Sequence, residues 1–295
     1  GKQVLAVIEI RARFDEQANV RWARKLEDVG VHVVYGLVGF KTHAKLSLVV
    51  REEGNAVRRY SHVGTGNYNP KTARMYEDLG LLSANDELGE DLNKLFNQLS
   101  GFAPQYSYNR LLVAPRTIRS GLLEKINREI ENKKAGKHAF IRLKLNSLLD
   151  EEFVEALYRA SIAGVEVDLV IRGICSLMPG IPGVSENIRV RSVLGRFLEH
   201  SRIFHFANDG NDEIYIGSAD LMDRNLNRRV ESLVQITRPE HKKDLIKVFD
   251  LYVSSTTSGW HLLPTGKWLK VDKAPDGTPL NDLQAVVIDS YRVNP

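Results

Sequence analysis

The alternation of hydrophobic and polar positions predicts a chain that switches repeatedly between strands and helices. Residues 4–10 form an apolar, largely β-branched run, and the polar stretch that begins at Asp15 carries apolar residues at helical spacing as far as Val29. Gly30 ends this predicted helix, and residues 31–34 form a second apolar run. The beginning of the chain therefore predicts a βαβ unit. The further elements predicted before residue 100 are strands at 43–50 and 57–63, a short helix after Asn69-Pro70 and a helix at 86–99.

The second part of the chain repeats the plan of the first. A strand is predicted at 139–146, Asp150 then opens a helix, and Gly164 leads into another apolar strand. The separation of Asp150 from Gly164 nearly equals that of Asp15 from Gly30, so we infer an internal duplication of domain size. The other elements predicted in this part are a helix at 116–134, strands at 165–171, 188–194, 201–207, 213–217 and 230–236, and a helix at 240–253.

These elements place two domains on the chain, at 1–100 and 116–255. Residues 101–115 contain Gly101, two prolines and three aromatic residues, a composition that predicts an ordered linker. Residues 256–295 show no clear period and are predicted to be a C-terminal tail packed on the domains. A length of 295 residues agrees with two domains rather than one.

Composition describes an ordinary globular protein, with 43% hydrophobic and 26% charged residues. A net charge of +4 is too small to indicate a nucleic-acid-binding protein by itself. No apolar run approaches the roughly 20 residues that span a bilayer, and the single cysteine, Cys175, cannot form an internal disulfide. We therefore expect a cytoplasmic protein, with peripheral membrane association left open. The chain begins with Gly1-Lys2-Gln3 rather than a methionine, so we also expect a piece of a longer protein.

The first candidate for chemistry lies in the strand predicted at 43–50. Its two-residue period places His43, Lys45 and Ser47 on one face and the apolar residues between them on the other. A neutral imidazole is a good nucleophile toward phosphorus, and a neighbouring ammonium group balances charge on phosphoryl oxygens. The same pattern also fits a strand whose solvent-facing side carries a histidine and a lysine. The pattern alone leaves both interpretations open.

The pattern occurs twice, which favours the chemical interpretation. The strand after His43 ends in Gly64-Thr65-Gly66-Asn67 and runs into a turn with two cations at a predicted helix N-terminus, a combination that favours bound phosphate. In the second half His200-Ser201-Arg202 opens a strand, and Gly217-Ser218-Ala219-Asp220 ends the next one. Because both pairs occupy equivalent places of a duplicated unit, we expect the two halves to meet face to face, with His43 and His200 lining one cavity.

This arrangement resembles the phospholipase D superfamily, in which two halves each give a histidine and a lysine to one phosphoryl-transfer site. The motif of that superfamily also has an aspartate seven residues after the histidine, where this chain has Val50 and Ala207. Longer strings resemble the bacterial polyphosphate kinase family over about residues 3–255, and they match its two C-terminal domains only. The strings are Ala12-Arg13-Phe14-Asp15-Glu16, Lys41-Thr42-His43-Ala44-Lys45-Leu46, His62-Val63-Gly64-Thr65-Gly66-Asn67-Tyr68-Asn69 with Lys71-Thr72-Ala73-Arg74, Arg172-Gly173-Ile174-Cys175-Ser176-Leu177 and Leu198-Glu199-His200-Ser201-Arg202.

The resemblance implies a fold, a reaction and residue roles. The fold it implies is a pair of tandem phospholipase D-like α/β/α sandwich domains related by internal duplication. The reaction it implies is the reversible transfer, with magnesium, of the ATP γ-phosphate to a growing inorganic polyphosphate chain through a phosphohistidine. By resemblance, His43 is the phosphorylated nucleophile. His200 is a second essential histidine that binds ATP and either protonates a leaving phosphate or orients His43.

Three further residues take nucleotide or metal roles from the same resemblance. Tyr76 and Arg172 match nucleotide-contacting positions, and Arg13 matches a position assigned near the magnesium ion. A guanidinium group has no lone pair for a metal, so we interpret Arg13 as holding phosphate that also binds the ion. The family also implies ATP, ADP and inorganic polyphosphate as partners, no nucleic acid, and a homo-oligomer of the full-length protein.

Four residues are added from their chemistry alone. Lys45, Arg74 and Arg202 are predicted to neutralise phosphate charge, although each position also suits a solvated surface cation. His62 follows a Tyr-Ser strand segment and fits packing as well as it fits a place at the border of the site.

Two other functions stay open at this stage. One is a phosphodiesterase of the phospholipase D type, and the other is a non-catalytic module that binds polyanions. An adenine site needs apolar walls, and no such cluster adjoins these motifs, so we expect nucleotide recognition to be shared with domains absent from this chain. ATP-dependent polymer synthesis by residues 1–295 alone is therefore expected to be absent or very weak.

Overall fold

The computed structural model describes residues 1–10, 16–101 and 107–292. Within these residues the α-helices are α1 (Glu16–Glu27), α2 (Asp86–Leu99), α3 (Ile118–Lys134), α4 (Glu151–Ile162), α5 (Asp223–Asn227), α6 (Pro239–Val253) and α7 (Leu283–Arg292). The strands are β1 (Leu5–Val7), β2 (His32–Val34), β3 (Lys41–Thr42), β4 (Lys45–Glu53), β5 (Ala56–Gly64), β6 (Tyr76–Glu77), β7 (Gly80–Ser83), β8 (Leu111–Ala114), β9 (Phe140–Leu145), β10 (Glu166–Ile171), β11 (Ile188–Ser192), β12 (Leu198–Glu199), β13 (Ile203–Phe206), β14 (Glu213–Gly217), β15 (Arg229–Ile236), β16 (Gly259–Leu262) and β17 (Trp268–Val271).

The second half of the chain is built around one large mixed sheet. Strands β9, β10 and β11 are parallel, and α4 forms the crossover from β9 to β10. Asp150 begins this helix, since its side chain accepts a hydrogen bond from the backbone N–H of Phe153. Strands β13, β14 and β15 continue the sheet as antiparallel neighbours, with β13 paired to β9. Five of the six residues of β10 are buried, which explains the continuous apolar run in the sequence.

Helices cover both faces of this sheet. On one face α3 and α4 contribute Ile118, Leu122 and Phe153 to an apolar core. On the other face α6 contributes Phe249, and α2, which belongs to the first half of the chain, contributes Leu92. The second half is therefore an α/β/α sandwich, as expected, and its second core is shared with the first half.

The first half repeats the same order of elements in smaller groups. The β1–α1–β2 unit matches β9–α4–β10, and the antiparallel set β4–β5–β7 matches β13–β14–β15. Among the described residues, β1 and β2 pair only with each other, whereas their counterparts join the large sheet. Strand β3 crosses over and pairs in parallel with β15 of the second half. The mixed α/β architecture with two related halves is confirmed.

Two segments differ from the sequence prediction. The predicted linker at 101–115 contains β8, which pairs antiparallel with β15 inside the large sheet. The predicted tail at 256–295 supplies β16, which pairs with β11, followed by β17 and α7. Both segments join the fold of the second half as paired strands. These three strands have four residues each, and they lie in segments that were assigned from their composition rather than from a hydrophobic period.

Short elements between Pro70 and residue 83 also differ from the prediction. The helix expected after Asn69 is a single 3-10 turn over Thr72–Arg74, although the Asn69 side chain accepts hydrogen bonds from the backbone N–H groups of Lys71 and Thr72. Strands β6 and β7, which follow the turn, were not predicted. No helix in the described part of the chain is long and apolar enough to cross a membrane.

Candidate active site

His43 sits at the junction between the two halves of the chain. It lies just before β4 rather than inside it, and the backbone N–H groups of His43 and Ala44 both donate to the carbonyl oxygen of Val230 on β15, at 2.9 and 3.0 Å. The Nδ1 atom of His43 is 2.8 Å from Oε2 of Glu231 on the same strand. An ionised carboxylate can only accept, so Nδ1 carries the proton and Nε2 keeps a free lone pair.

Glu231 is completely buried, and both of its carboxylate oxygens accept hydrogen bonds. The hydroxyl of Ser218 donates to its Oε2 atom, and the amide of Asn225 donates to Oε1 at 2.7 Å. Burial raises the pKa of this carboxyl, but the charge and hydrogen bond of His43, together with Lys45 and Ser218, outweigh burial and hold the pKa below its ordinary value. Glu231 is therefore an anionic acceptor that fixes the orientation of the His43 ring.

His200 has the same arrangement with the halves exchanged. Its Nδ1 atom is 2.7 Å from Oδ1 of Asp78, a residue of the first half. The hydroxyl of Thr65 donates to the same carboxylate oxygen at 2.6 Å, as Ser218 does to Glu231. Each histidine thus takes its orienting carboxylate from the opposite half, so the site exists only where the two halves meet.

Lys45 lies within electrostatic reach of the carboxylates of both histidine–carboxylate pairs. Its side chain is 6% exposed, and its Nζ atom has no hydrogen-bond partner among the described residues. Burial lowers the pKa of Lys45 to about 7, while Glu231 and Asp78 act in the opposite direction. The Lys45 ammonium group is buried and makes no hydrogen bond to the described residues. It is therefore suited to bind an anion that enters the site.

Both histidines are neutral at pH 7. Burial lowers the pKa of His43, and Glu231 only partly offsets this effect. Burial also lowers the pKa of His200, again against the opposing effect of its carboxylate partner Asp78. Since a lower pKa means that the proton is lost at a lower pH, both Nε2 atoms are unprotonated at neutral pH.

Arg202 occupies the position that corresponds to Lys45, but its charge is balanced. It is 3% exposed and forms an ion pair with Asp220, with Nη2 3.1 Å from Oδ2 and Nε 3.3 Å from Oδ1. Its Nη1 atom also lies 3.3 Å from Nε2 of His200. The first half has Asn67 in the place of Asp220. Arg202 therefore has the anionic partner Asp220, whereas the corresponding residue for Lys45 is the uncharged Asn67.

Tyr76 and Arg172 both lie beside His200. The ring centroids of Tyr76 and His200 are 4.8 Å apart. Arg172 donates through Nε to Oδ1 of Asn146 at 3.0 Å, and the Asn146 amide donates to the carbonyl oxygen of His200 at 3.3 Å. The two residues expected to contact a nucleotide are thus on the His200 side of the cluster.

Two predicted residues, Arg74 and His62, do not join this cluster. Arg74 is exposed on the 3-10 turn, and the described residues show no ion pair or hydrogen bond between its side chain and the cluster. His62 is paired through Nδ1 with the hydroxyl of Tyr68 at 2.6 Å. Arg13 lies outside the described residues.

The two orienting carboxylates, Asp78 and Glu231, were not among the residues predicted from the sequence. A signal for them exists in the duplication, because each carboxylate follows the hydroxyl residue that binds it, Thr65 or Ser218, by 13 positions. Asn146, which links Arg172 to His200, was not predicted either.

Two family models cover nearly the whole chain. The one described as polyphosphate kinase C-terminal domain 1 matches residues 1–105, and the one described as polyphosphate kinase C-terminal domain 2 matches residues 111–282. The chain belongs to the polyphosphate kinase family.

Full-length relatives agree with this assignment. A polyphosphate kinase from Streptomyces coelicolor is 59% identical over 292 residues, which are 99% of this chain and 39% of that protein. A polyphosphate kinase from Mycobacterium avium is 54% identical over 292 residues, or 99% of this chain and 40% of that protein. The chain therefore spans about two fifths of the length of the curated polyphosphate kinases it matches.

Solved structures show the same fold. The crystal structure of polyphosphate kinase from Porphyromonas gingivalis aligns with a TM-score of 0.89 at 35% identity, covering 99% of this chain and 44% of that one. A phosphatidylserine synthase from Haemophilus influenzae aligns with a TM-score of 0.56 at 10% identity, covering 98% of this chain and 80% of that one, and shows a likeness of fold alone.

The cluster offers no ready set of metal ligands. Within the described ranges, no group of three or more His, Cys, Asp or Glu side chains is placed to hold a metal ion. The three carboxylates of the site are already engaged, Asp78 with His200, Asp220 with Arg202 and Glu231 with His43. A magnesium ion fits this site only as a companion of substrate phosphates.

Proposed function

We propose that this chain carries the phosphoryl-transfer site of a polyphosphate kinase, which reversibly moves the γ-phosphoryl group of ATP to the end of an inorganic polyphosphate chain through phosphorylated His43. One observation carries this proposal. His43 has its Nδ1–H bound to the buried Glu231 and its Nε2 lone pair free, next to the unpaired, buried Lys45. The His43 imidazole can therefore act as the nucleophile, and Lys45 can balance the charge of the phosphoryl group.

In the first step the Nε2 lone pair of His43 forms a bond to the γ-phosphorus while the bond from that phosphorus to the β,γ-bridging oxygen breaks. ADP leaves with the bonding electron pair. The phosphorylated ring carries positive charge, which the Glu231 carboxylate stabilises from the Nδ1 side. Lys45 balances the charge of the transferring phosphoryl oxygens.

In the second step a terminal oxygen of polyphosphate attacks the same phosphorus, and the nitrogen–phosphorus bond breaks. The chain grows by one phosphate, and His43 returns to its starting form. His200, whose Nδ1–H is held by Asp78, presents Nε2 for proton exchange with a leaving or incoming phosphate oxygen. Run backwards, the same two steps form ATP from ADP.

Other parts of the function are proposals drawn from the family resemblance. They are ATP and ADP as nucleotide partners, magnesium as the accompanying ion and a homo-oligomeric full-length protein. A cytoplasmic location is a further proposal, which rests on the single cysteine and on the lack of a long apolar run in the sequence. Magnesium would neutralise part of the charge on the nucleotide phosphates. The described residues supply no set of side chains that would bind the ion by themselves.

The test uses a chimera in which this chain replaces the matching 292 residues of the Streptomyces coelicolor relative. We expect the chimera to make polyphosphate from ATP and to leave phosphodiesters intact. The control is the same chimera carrying Lys125→Met, a substitution outside the site, which should make polyphosphate as the unsubstituted chimera does. Hydrolysis of a diester such as bis(p-nitrophenyl) phosphate without polymer synthesis would replace the proposal by a phosphodiesterase. Binding of polyphosphate without either reaction would reduce it to a polyanion-binding module.

A further inference from the structure

Two very short strands from opposite halves form a ribbon behind the second histidine. Strand β6 pairs in parallel with β12, with Tyr76 opposite Leu198 and Glu77 opposite Glu199. Successive side chains of a strand point to opposite faces. Tyr76, and Asp78 just after β6, therefore lie on one face of the ribbon, where Asp78 meets His200, while Glu77 and Glu199 share the other face.

Glu77 and Glu199, on the face of the ribbon opposite Asp78, both contact one lysine. The Nζ atom of Lys144, on β9, is 2.8 Å from Oε2 of Glu77 and 2.9 Å from Oε2 of Glu199. It also donates to the hydroxyl of Ser201 at 2.7 Å. The Lys144 side chain is 2% exposed, and the Tyr252 hydroxyl donates to Glu199 at 2.5 Å. Lys144 thus contacts both carboxylates and the Ser201 hydroxyl, and 25% of the Glu77 side chain stays exposed.

Glu77 also binds the backbone that carries His200. Its carboxylate accepts hydrogen bonds from the backbone N–H groups of His200 and Ser201, at 3.4 and 3.2 Å. Burial raises the pKa of Glu77, but Lys144 and Ser201 outweigh it and lower the pKa to about 2. Burial lowers the pKa of Lys144, but Glu77 and Glu199 outweigh it and raise the pKa. Glu77 and Lys144 are therefore both charged at neutral pH.

We propose that Lys144 is a positioning residue, which binds Glu77 and Glu199 together and so holds Asp78 against His200 across the boundary between the two halves. Lys144 touches neither histidine and acts only through the ribbon. The role of this contact in catalysis rests on the proposed function, whereas the geometric claim does not. Buried ion pairs contribute little to stability relative to apolar replacements, so their specific geometry is the more informative property.

The physical consequence of losing Lys144 follows from the charges. Without the ammonium group, the buried Glu199 and the partly buried Glu77 face each other across one strand pairing, with no cation between them. Carboxylates at this separation repel each other in a partly buried site, and β6 is held to β12 by only two residue pairs. The ribbon therefore opens at the end that carries Asp78 and His200.

The experiment observes His200 directly in the 295-residue chain by nuclear magnetic resonance. The chain is labelled with ¹⁵N-histidine, and the Nδ1 proton of His200 is assigned by its disappearance in His200→Asn. We compare Lys144→Met with Lys125→Met. Lys125 is a matched control because it is a half-buried lysine of the same half, 3.1 Å from a Glu213 oxygen and 5.2 Å from the Tyr215 ring centroid. Lys144 has the same kind of tyrosine contact, 5.0 Å from the Tyr252 ring centroid.

We expect Lys144→Met to abolish the His200 Nδ1 proton signal, or to raise its exchange rate with water at least about tenfold, while the His43 signal stays in place. Lys125→Met should leave both signals unchanged. Lys144→Arg, which keeps the charge, should retain the His200 signal. A folded Lys144→Met chain with an unchanged His200 signal would overturn the proposal.

A second variant covers the case in which Lys144→Met does not fold. Glu77→Gln keeps the shape of the side chain but removes the charge that binds Lys144, and it too should weaken the His200 signal. An unchanged signal in Glu77→Gln overturns the proposal in that case. The readout needs no ATP, so a chimera without kinase activity would refute the proposed function and leave this result intact.

Discussion

The properties of His43 come from its neighbours rather than from its position on a strand. Glu231 fixes its tautomer from β15, Lys45 faces the same cluster, and the surrounding protein keeps the ring neutral. The duplication applies the same logic to His200, with Asp78 as the carboxylate. At the scale of single residues the site consists of two histidine–carboxylate pairs, and the two members of each pair are distant in sequence.

This dependence explains which site residues the sequence could predict. The spacing of His43 and Lys45 in the predicted strand was enough to select both residues, although His43 lies just before β4 in the structure. Glu231 lies 188 positions from His43, and Asp78 lies 122 positions from His200. Contacts of that separation are created by the pairing of the two halves, which no local period records.

The first prediction concerns Glu231. In the chimera, Glu231→Gln keeps the size of the side chain but removes the charge that stabilises the phosphorylated ring, so phosphoenzyme formation should slow by about 10²- to 10⁴-fold. Rapid-quench labelling with ATP measures this rate. Glu213→Gln, a carboxylate of the same half paired with Lys125 and Arg128, is the control and should label at the unchanged rate. An equally fast Glu231→Gln would remove Glu231 from the mechanism.

The second prediction concerns the pH dependence of anion binding at Lys45. Its pKa of about 7 lies below the ordinary value because the group is buried, so its charge is present below pH 7 and is lost as the pH rises. Binding of sulfate, whose own charge is constant in this range, should weaken by up to about tenfold per pH unit above 7. Lys45→Arg should remove this dependence, as measured by calorimetry between pH 6 and 8.5. A sulfate affinity of the unsubstituted chain that stays constant across that range would contradict the assignment.

At the scale of elements, length decided what the sequence could predict. Helices such as α2 and α6 have one apolar face over 14 and 15 residues, and their predicted positions agree closely with the structure. Strands β6 and β12 have two residues each, which is too few to show any period along the sequence. These two short strands nevertheless carry Tyr76 and lead directly into Asp78 and His200, so the least predictable elements are the ones that position the second half of the site.

The third prediction tests the close approach of β14 to β15. Gly217 ends β14, and a Cβ atom there would overlap the carbonyl oxygen of Ser232 and lie 2.9 Å from Leu233 Cα, which are backbone atoms that cannot rotate away. Gly217→Ala should destabilise the chain by about 1–3 kcal/mol, measured by urea unfolding.

The control for this substitution is Gly121→Ala in α3. Its Cβ would meet only the end of the Leu112 side chain, and alanine favours a helix, so stability should stay the same or rise by up to about 1 kcal/mol. If Gly217→Ala were as stable as the unsubstituted chain, β14 and β15 would not be packed as described.

At the scale of the whole molecule, the two halves form one unit. They share an apolar core that contains Leu92 and Val63 of the first half and Ile203 and Phe249 of the second. Strand β3 also joins the large sheet directly. The duplication visible in the sequence predicted two similar domains, but it did not predict how the strands of the first half would be distributed. They form two small sheets, β1–β2 and β4–β5–β7, while β6 pairs with β12 and β3 joins the sheet of the second half.

The fourth prediction compares the 295-residue chain with the chimera. The chain holds the histidines and the cations of the site, so it should bind inorganic polyphosphate, and more weakly as salt concentration rises because the attraction is electrostatic. We expect its ATP-dependent polymer synthesis to be at least about a hundredfold slower than that of the chimera, since nucleotide recognition is expected to be shared with other domains. Equal rates would place the whole ATP site within residues 1–295.

The measurement that tests the central claim most directly is the location of the phosphoryl group after a short pulse of γ-labelled ATP. The chimera is quenched in alkali, which preserves phosphohistidine, and the labelled peptide is identified by mass spectrometry. We predict that the label is on His43, and that His43→Ala abolishes labelling while the protein still folds. Label on another residue, or label retained by His43→Ala, would contradict the account.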